Sequence, residues 1–373
     1  MRRAAFVYCD TLSRHVIGET HPMKPERLRY TYDLLCSYEA FDGPTTILIE
    51  PEAANVNDLR SFHREEYISA VKSASSLGES ALMQEFNLGF GDNPSYKGMY
   101  EAAILSVGAS MSAVETLISE EADVAFNISG GLHHAMPSNA YGFCVFNDPV
   151  IAINELLKSG FRVAYLDIDC HHGDGVQGAF YDTDSVLTIS IHESGKFLFP
   201  GTGEVNEVGN GRGRGYSVNV PLFPYTTDEI YSFVFRETAV PLLKAFDADV
   251  LVTQLGIDTH FKDPITHLAL TTQGHENIVS LINDLEPSKW LALGGGGYHV
   301  ASVANAWTLD YGIMSGQKFP NEIPSAYARL HKVDSLRDEM PIIDPDMLLE
   351  AKKFGEATVR EIRKIIFPYH RIE

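Results

Sequence analysis

Six short runs of aliphatic and β-branched residues, Ala4–Cys9, Val124–Ile128, Val163–Asp169, Val186–His192, Val250–Leu255 and Trp290–Leu293, are separated by segments with helical periodicity. Runs of this length and composition are what buried parallel strands require. The helical patterns cover Glu26–Tyr38, Tyr100–Ile118, Asp228–Phe246, His299–Met314 and the amphipathic Glu350–Ile366. Such alternation predicts an α/β fold, with a mostly parallel sheet and helices on both faces. A chain of 373 residues, 45% of them hydrophobic, suits one large domain or two small ones. No linker, repeat or low-complexity tract divides it, so one domain over residues 1–373 is expected. In sheets of this kind, sites form beyond the carboxyl ends of the strands.

Four of the runs end in polar or glycine-rich segments. Ser129-Gly130-Gly131-Leu132-His133-His134-Ala135 follows the second, and Asp167-Ile168-Asp169-Cys170-His171-His172-Gly173-Asp174-Gly175 ends the third. Gly256-Ile257-Asp258-Thr259-His260 follows the fifth, and Gly294-Gly295-Gly296-Gly297-Tyr298 the sixth. Asp167, Asp169 and His171 alternate, so in extended chain they share one face. Taken alone, this pattern fits a hydrogen-bonded network as well as a metal site. Buried acids need a cation, however, and no Lys or Arg lies among them. Asp258, directly after another apolar strand, is the best third ligand. Asp169, His171 and Asp258 would give one imidazole and two carboxylates with an open position, the pattern of a catalytic metal. Zinc suits this mixture, and Fe(II), Mn and Co share the ligand type. Alternation turns Cys170 to the other face, into the core.

The tandem His133-His134 offers a base and an acid for hydrolysis at a metal. Asp167 and Asp174 are spare carboxylates that could fix the imidazole tautomers. The four glycines could suggest a phosphate cradle, but no Gly-Lys-Ser/Thr follows. Tyr298 could instead donate its hydroxyl to a developing oxyanion. A packed aromatic on a tight turn explains the same residues.

The net charge of −21, from 29 basic and 50 acidic residues, argues against nucleic acid and anionic membranes as partners. It favours cationic partners such as lysine-rich segments or polyamines, or serves only solubility. The opening Met1–Cys9 is too short for a signal peptide and is followed by Asp10, and no unbroken apolar stretch is long enough for a membrane span. The four cysteines, Cys9, Cys36, Cys144 and Cys170, form no C-x-x-C pair. A reduced, cytoplasmic protein is expected.

Taken together, the segments resemble the histone deacetylase family, in its class I-like branch, and within it the acetoin-utilisation deacetylases of prokaryotes. The likeness runs from about His21 to Trp307. It rests on His21-Pro22-Met23-Lys24-Pro25-Glu26-Arg27, Gly130 to Ala135, Gly142-Phe143-Cys144 with Asn147-Asp148, and Asp167 to Asp174. His192 to Gly195, Phe199 to Gly203, Asp258 to Pro264 and Gly294 to Tyr298 continue it. The resemblance implies zinc on Asp169, His171 and Asp258, and hydrolysis of N-acetyl-lysine side chains with release of acetate. It implies His134 as general base and then acid, with His133 assisting electrostatically. Asp167 would orient His133, Asp174 would orient His134, and Tyr298 would hydrogen-bond the carbonyl. Phe143 and Phe199 would wall a lysine tunnel, with Gly142, His171, Ile265 and Gly296 beside it. Asp92 would grip the substrate backbone at the rim, and Arg27 would line a channel for acetate. Two structural potassium ions are implied, one near Asp167, Asp169, His171, Ser190 and Ile191, the other near Phe180, Thr183, Val186 and Tyr216. Acetylated metabolic enzymes, such as an acetyl-CoA synthetase, are the implied substrates.

Three rivals share parts of this pattern. An acetylpolyamine deacetylase would want acidic residues at the mouth. Ile265 stands where some relatives place Glu, while Asp92 and the overall acidity keep that reading open. A binuclear manganese hydrolase of the arginase type would need another carboxylate near Asp258, where His260 stands. A non-catalytic reader of acyl-lysine would not need a full catalytic set.

Overall fold

The computed structural model describes residues 2–89 and 91–373. Among the described residues, eight strands form one sheet: β1 (Ala4–Val7), β2 (Thr46–Ile49), β3 (Val124–Asn127), β4 (Val163–Asp167), β5 (Val186–Glu193), β6 (Ser217–Leu222), β7 (Val250–Gln254) and β8 (Lys289–Leu293). Their order is β2-β1-β3-β8-β7-β4-β5-β6, and every neighbouring pair is parallel. Helices flank this sheet in a single domain.

The six expected strands are all present, with ends displaced by at most two residues. The two strands without a sequence signal are the two edges. β2 is only four residues long and partly exposed. β6 contains Pro221, which a central strand would not tolerate; at an edge its missing N–H breaks no ladder. The helix Pro345–Ile365 packs on β6, and Thr358 Oγ1 donates to the Pro221 carbonyl at 3.0 Å.

Strands β3, β4, β5 and β7 are buried at every residue because both faces are covered. Successive side chains leave on opposite faces. Phe126 meets Trp307 of the helix Val300–Ser315 on one side. Asn127, one residue on, reaches Ser106 and Ser110 of the helix Met99–Ile118 on the other. That second helix is long and apolar enough for a membrane span, but it packs against β3 and the helix Asp148–Lys158 as a core element.

The helix expected over Asp228–Phe246 is two helices, Asp228–Glu237 and Ala239–Phe246, which break at Thr238. Pro241 is the physical cause: it lacks an N–H, and its ring conflicts with the carbonyl four residues earlier, at Glu237. The C-terminal helix starts before the expected Glu350, at Pro345, where the Asp344 carboxylate caps the amides of Asp346 and Met347.

The four strands that end in polar or glycine-rich segments, β3, β8, β7 and β4, are contiguous at the centre of the sheet. Asn127, Leu293, Gln254 and Asp167 stand side by side across their carboxyl ends. All four segments therefore emerge along one line.

Beneath the sheet, His275 of the helix Thr272–Asn283 meets Asp310 of Val300–Ser315, Nε2 to Oδ2, at 3.0 Å, and both are buried. Burial raises the Asp310 carboxyl above its ordinary range, and His275 opposes that rise. His275→Ala would leave a buried carboxylate unpaired, at an expected cost of about 3–5 kcal/mol. A carboxyl with a raised folded-state pKa holds its proton more tightly when folded, so stability is gained as the pH falls. The deficit of the variant should be largest at high pH and shrink as Asp310 takes up a proton. Denaturant unfolding across pH checks this; a deficit that does not vary with pH would refute it.

Candidate active site

Asp169, His171 and Asp258 converge just beyond β4 and β7, with their donor atoms within 4.8 Å of one another. His171 Nδ1 lies 3.2 Å from Asp169 Oδ1 and 2.8 Å from Asp258 Oδ2. All three are buried. Backbone amides aim the carboxylates: Gly296 N–H donates to Asp169 Oδ2 at 2.7 Å, and Cys170 N–H to Asp258 Oδ1 at 2.7 Å. Gly296 is required here, since a Cβ would lie 2.2 Å from Asp258 Oδ2. Cys170 faces away, into the core, as alternation predicts.

The electrostatics of the cluster call for positive charge. Burial and the adjacent Asp169 push Asp258 up to about 7. Burial resists a charge on His171, but its hydrogen bonds to Asp169 and Asp258 outweigh that and raise it to about 10. The nearest guanidinium, Arg27, is committed elsewhere, to the carbonyls of Gly295 and Gly297. One imidazole and two carboxylates, buried together and short of a cation, fit a divalent metal with three protein ligands.

His133 and His134 face this cluster. His133 Nδ1 donates to Asp167 Oδ2 at 2.8 Å, and His134 Nδ1 donates to Asp174 Oδ1 at 2.7 Å. The two Nε2 atoms lie 3.0 Å apart, within hydrogen-bond distance of each other. Burial opposes protonation of His133, but Asp167 and Asp169 raise it to about 9. Burial and the charge of His133 lower His134 to about 3. The same surroundings thus shift the two imidazoles in opposite directions, His133 toward the cation and His134 toward the neutral form. Their loop is anchored from below. Asp148 accepts from the amides of Gly131 and Leu132, and Asn147 Nδ2 donates to the carbonyls of His133 and Ala135.

Aromatic walls lead to the cluster. Phe199 lies edge-on to His134 at 5.2 Å, and Phe143 edge-on to Tyr298 at 5.6 Å. Gly142 adopts φ +48°, and a Cβ there would come within 2.5 Å of His134 and 2.9 Å of Phe199. The loop that carries Phe199 is fixed by His172, 2.8 Å from Thr202 Oγ1, and by His192, which donates to the Gly203 carbonyl. Ile265 is half-buried on the loop after Asp258. Asp92 is exposed, and its carbonyl lies 3.3 Å from His21 Nε2, which packs on Phe143. His15, Met23, Arg27, Ser129, Leu132 and Phe143 line a partly open pocket next to the site.

The remaining sequence candidates lie apart from this centre or below it. Ser190 stands beside Asp167 in the ladder and bonds His192. Phe180, Thr183, Val186 and Tyr216 lie toward the opposite end of the sheet, where β5 and β6 begin. His260 turns away from Asp258 to Asp338 at 2.8 Å, so it adds no ligand for a second metal of the arginase type. Sequence reasoning missed Tyr165, which donates to Asp167 Oδ2 at 2.8 Å, and Gln254, which donates to the Gly131 carbonyl at 2.8 Å. Both carried a signal: Tyr165 shares the face of Asp167 one alternation earlier, and Gln254 is a polar residue closing an apolar strand.

Comparison with known proteins agrees with this geometry. The model of the histone deacetylase domain matches residues 21–313. The acetoin utilization protein AcuC of Bacillus subtilis is 40% identical over 333 residues, 86% of each chain. Human histone deacetylase 1 is 38% identical over 326 residues, 87% of this chain and 67% of that one. The crystal structure of an HDAC homolog from Aquifex aeolicus superposes with a TM-score of 0.85 at 29% identity, covering 94% of this chain and 100% of that one. A match spanning most of the chain, over a buried Asp-His-Asp cluster faced by two carboxylate-backed histidines, makes this protein a member of the histone deacetylase family of amidohydrolases.

Proposed function

We propose that the protein hydrolyses N-acetyl groups from lysine side chains of proteins. The observation that carries this reading is the His133-His134 pair, each backed by its own carboxylate and aimed at the Asp169, His171 and Asp258 cluster between Phe143 and Phe199. Zinc held by Asp169, His171 and Asp258, whose donors also suit Fe(II), would supply a Lewis acid that polarises the acetyl carbonyl and acidifies the attacking water.

The protein groups do the rest. Phe143, Phe199 and the close approach at Gly142 receive the lysine methylenes and exclude water. His134, neutral because burial and His133 hold it down to about 3, takes the proton of the attacking water at Nε2. Asp174 stabilises the imidazolium that results, and His134 then returns the proton to the leaving amine. His133, cationic through Asp167, offsets negative charge as the tetrahedral species forms. Burial, with Asp258 and Asp169, raises the Tyr298 hydroxyl well above its ordinary range, so it stays protonated and donates to the oxyanion. Arg27 and the pocket it lines give acetate a way out in this reading.

Asp92 grips the substrate backbone at the rim in this reading, and acetylated metabolic enzymes such as an acetyl-CoA synthetase are the partner class. Potassium near Asp167 and Ser190, and near Phe180, Thr183, Val186 and Tyr216, belongs to the same reading. A rise in unfolding temperature with added potassium, absent with added caesium, tests it.

Tyr298→Phe is expected to lower kcat by about 10²–10³-fold, the loss typical of one oxyanion donor, with metal content unchanged. Wild-type turnover in that variant would remove the role. Amine release from an acetyl-lysine peptide and an N-acetylated polyamine, with and without chelator, tests the substrate class. Chelator-sensitive turnover of the peptide is expected; preference for the polyamine would favour the rival and point to Asp92.

A further inference from the structure

Tyr298 follows four glycines, a backbone with little intrinsic preference for one conformation. Gly295 and Gly297 both lie at positive φ, +114° and +123°. A tyrosine on such a stem would swing with every rotation of the preceding peptide. That peptide, between Gly297 and Tyr298, is held at both ends. Its carbonyl accepts from Arg27 Nη1 at 2.8 Å, and its N–H donates to Asp263 Oδ2 at 2.8 Å.

Asp263 is buried and uses both carboxylate oxygens. Oδ1 accepts from the Ile265 N–H at 3.1 Å, while Oδ2 takes the Tyr298 N–H. Its own N–H donates to the His260 carbonyl at 2.8 Å, so it belongs to the loop that leaves Asp258. The bond to Ile265 is a local Asx turn, which asparagine would make equally well. The bond to Tyr298 spans 35 residues and serves no local turn. Only a carboxylate can accept with both oxygens; an amide would present a donor to one of the two N–H groups.

We propose that Asp263 is a positioning residue, which sets the Tyr298 hydroxyl against the substrate carbonyl and ties that setting to the tunnel wall at Ile265. The inference rests on the deacetylase reading above. If the substrate displaces the wall at Ile265, the displacement reaches Tyr298 through one side chain. A misplacement of about 1 Å at a catalytic group can cost up to about 100-fold in rate.

A double-mutant cycle separates this role from a general structural one. Turnover of an acetyl-lysine peptide is measured for the wild type, Asp263→Asn, Tyr298→Phe and the double variant, with metal content and unfolding temperature alongside. Asp263→Asn is expected to lower kcat about tenfold when Tyr298 is present. In the Tyr298→Phe background it should cost less than about twofold, because the hydroxyl it positions is gone. Equal factors in the two backgrounds would overturn the proposal. No turnover by metal-replete wild type would instead sink the deacetylase reading. Should Asp263→Asn fail to fold, Asp263→Glu enters the same cycle: it keeps the charge, but its length cannot serve both N–H groups, and the two outcomes read the same way.

Discussion

Buried negative charge governs the catalytic end of this protein. Asp167, Asp169 and Asp258 are brought together at the ends of two adjacent strands, with almost no access to water. Each is offset differently: Asp167 by His133 and Tyr165, Asp169 by backbone amides and His171, Asp258 by Cys170 N–H and His171. Those donors do not balance the charge, and the shifts of Asp258 and His171 record the deficit. A divalent cation on Asp169, His171 and Asp258 would close it. The tandem histidines respond to the same field: Asp167 and Asp169 raise His133 against its burial, while burial and the charge of His133 lower His134.

Most of this was legible along the chain, because strand ends are where apolar runs stop and chemistry-bearing residues start. Asp169, His171, Asp258 and the histidine pair each stood out locally. Their convergence did not. Nothing in the sequence says that the second, third, fifth and sixth runs are neighbours, and only the crossovers of the sheet make β3, β8, β7 and β4 contiguous. Alternation placed Asp167 on the face of Asp169 and His171, yet the strand ends at Asp167 and the three part company there. Asp167 serves a histidine, and the other two turn toward Asp258.

Edges and long-range tethers escaped sequence reasoning for a common reason. β2 and β6 are short or interrupted by Pro221, so they carry no periodic signature. Asp263 and Asp338 act on partners 35 and 78 residues away, Tyr298 and His260. Such contacts leave no spacing to read. They nonetheless fix the loop that bears Asp258, and Asp338 does so from beyond the segment shared with the family model, which ends at residue 313. The site is therefore supported by a part of the chain that its motifs do not reveal.

The hydrogen bond from Thr358 to Pro221 bears on how the molecule is made. β6 lies between the middle of the chain and its last helix in order of synthesis, but it is a spatial boundary of the sheet. A ribosome adds residues at about 5–20 per second. The outer side of β6 therefore waits roughly 6–30 seconds for Pro345–Ile365 to arrive, with backbone acceptors and apolar side chains uncovered. Pro221 makes that interval safer, since a strand lacking an N–H is a poor template for another chain. The residue that hid the strand from sequence reading also guards the unfinished sheet against pairing with a neighbour.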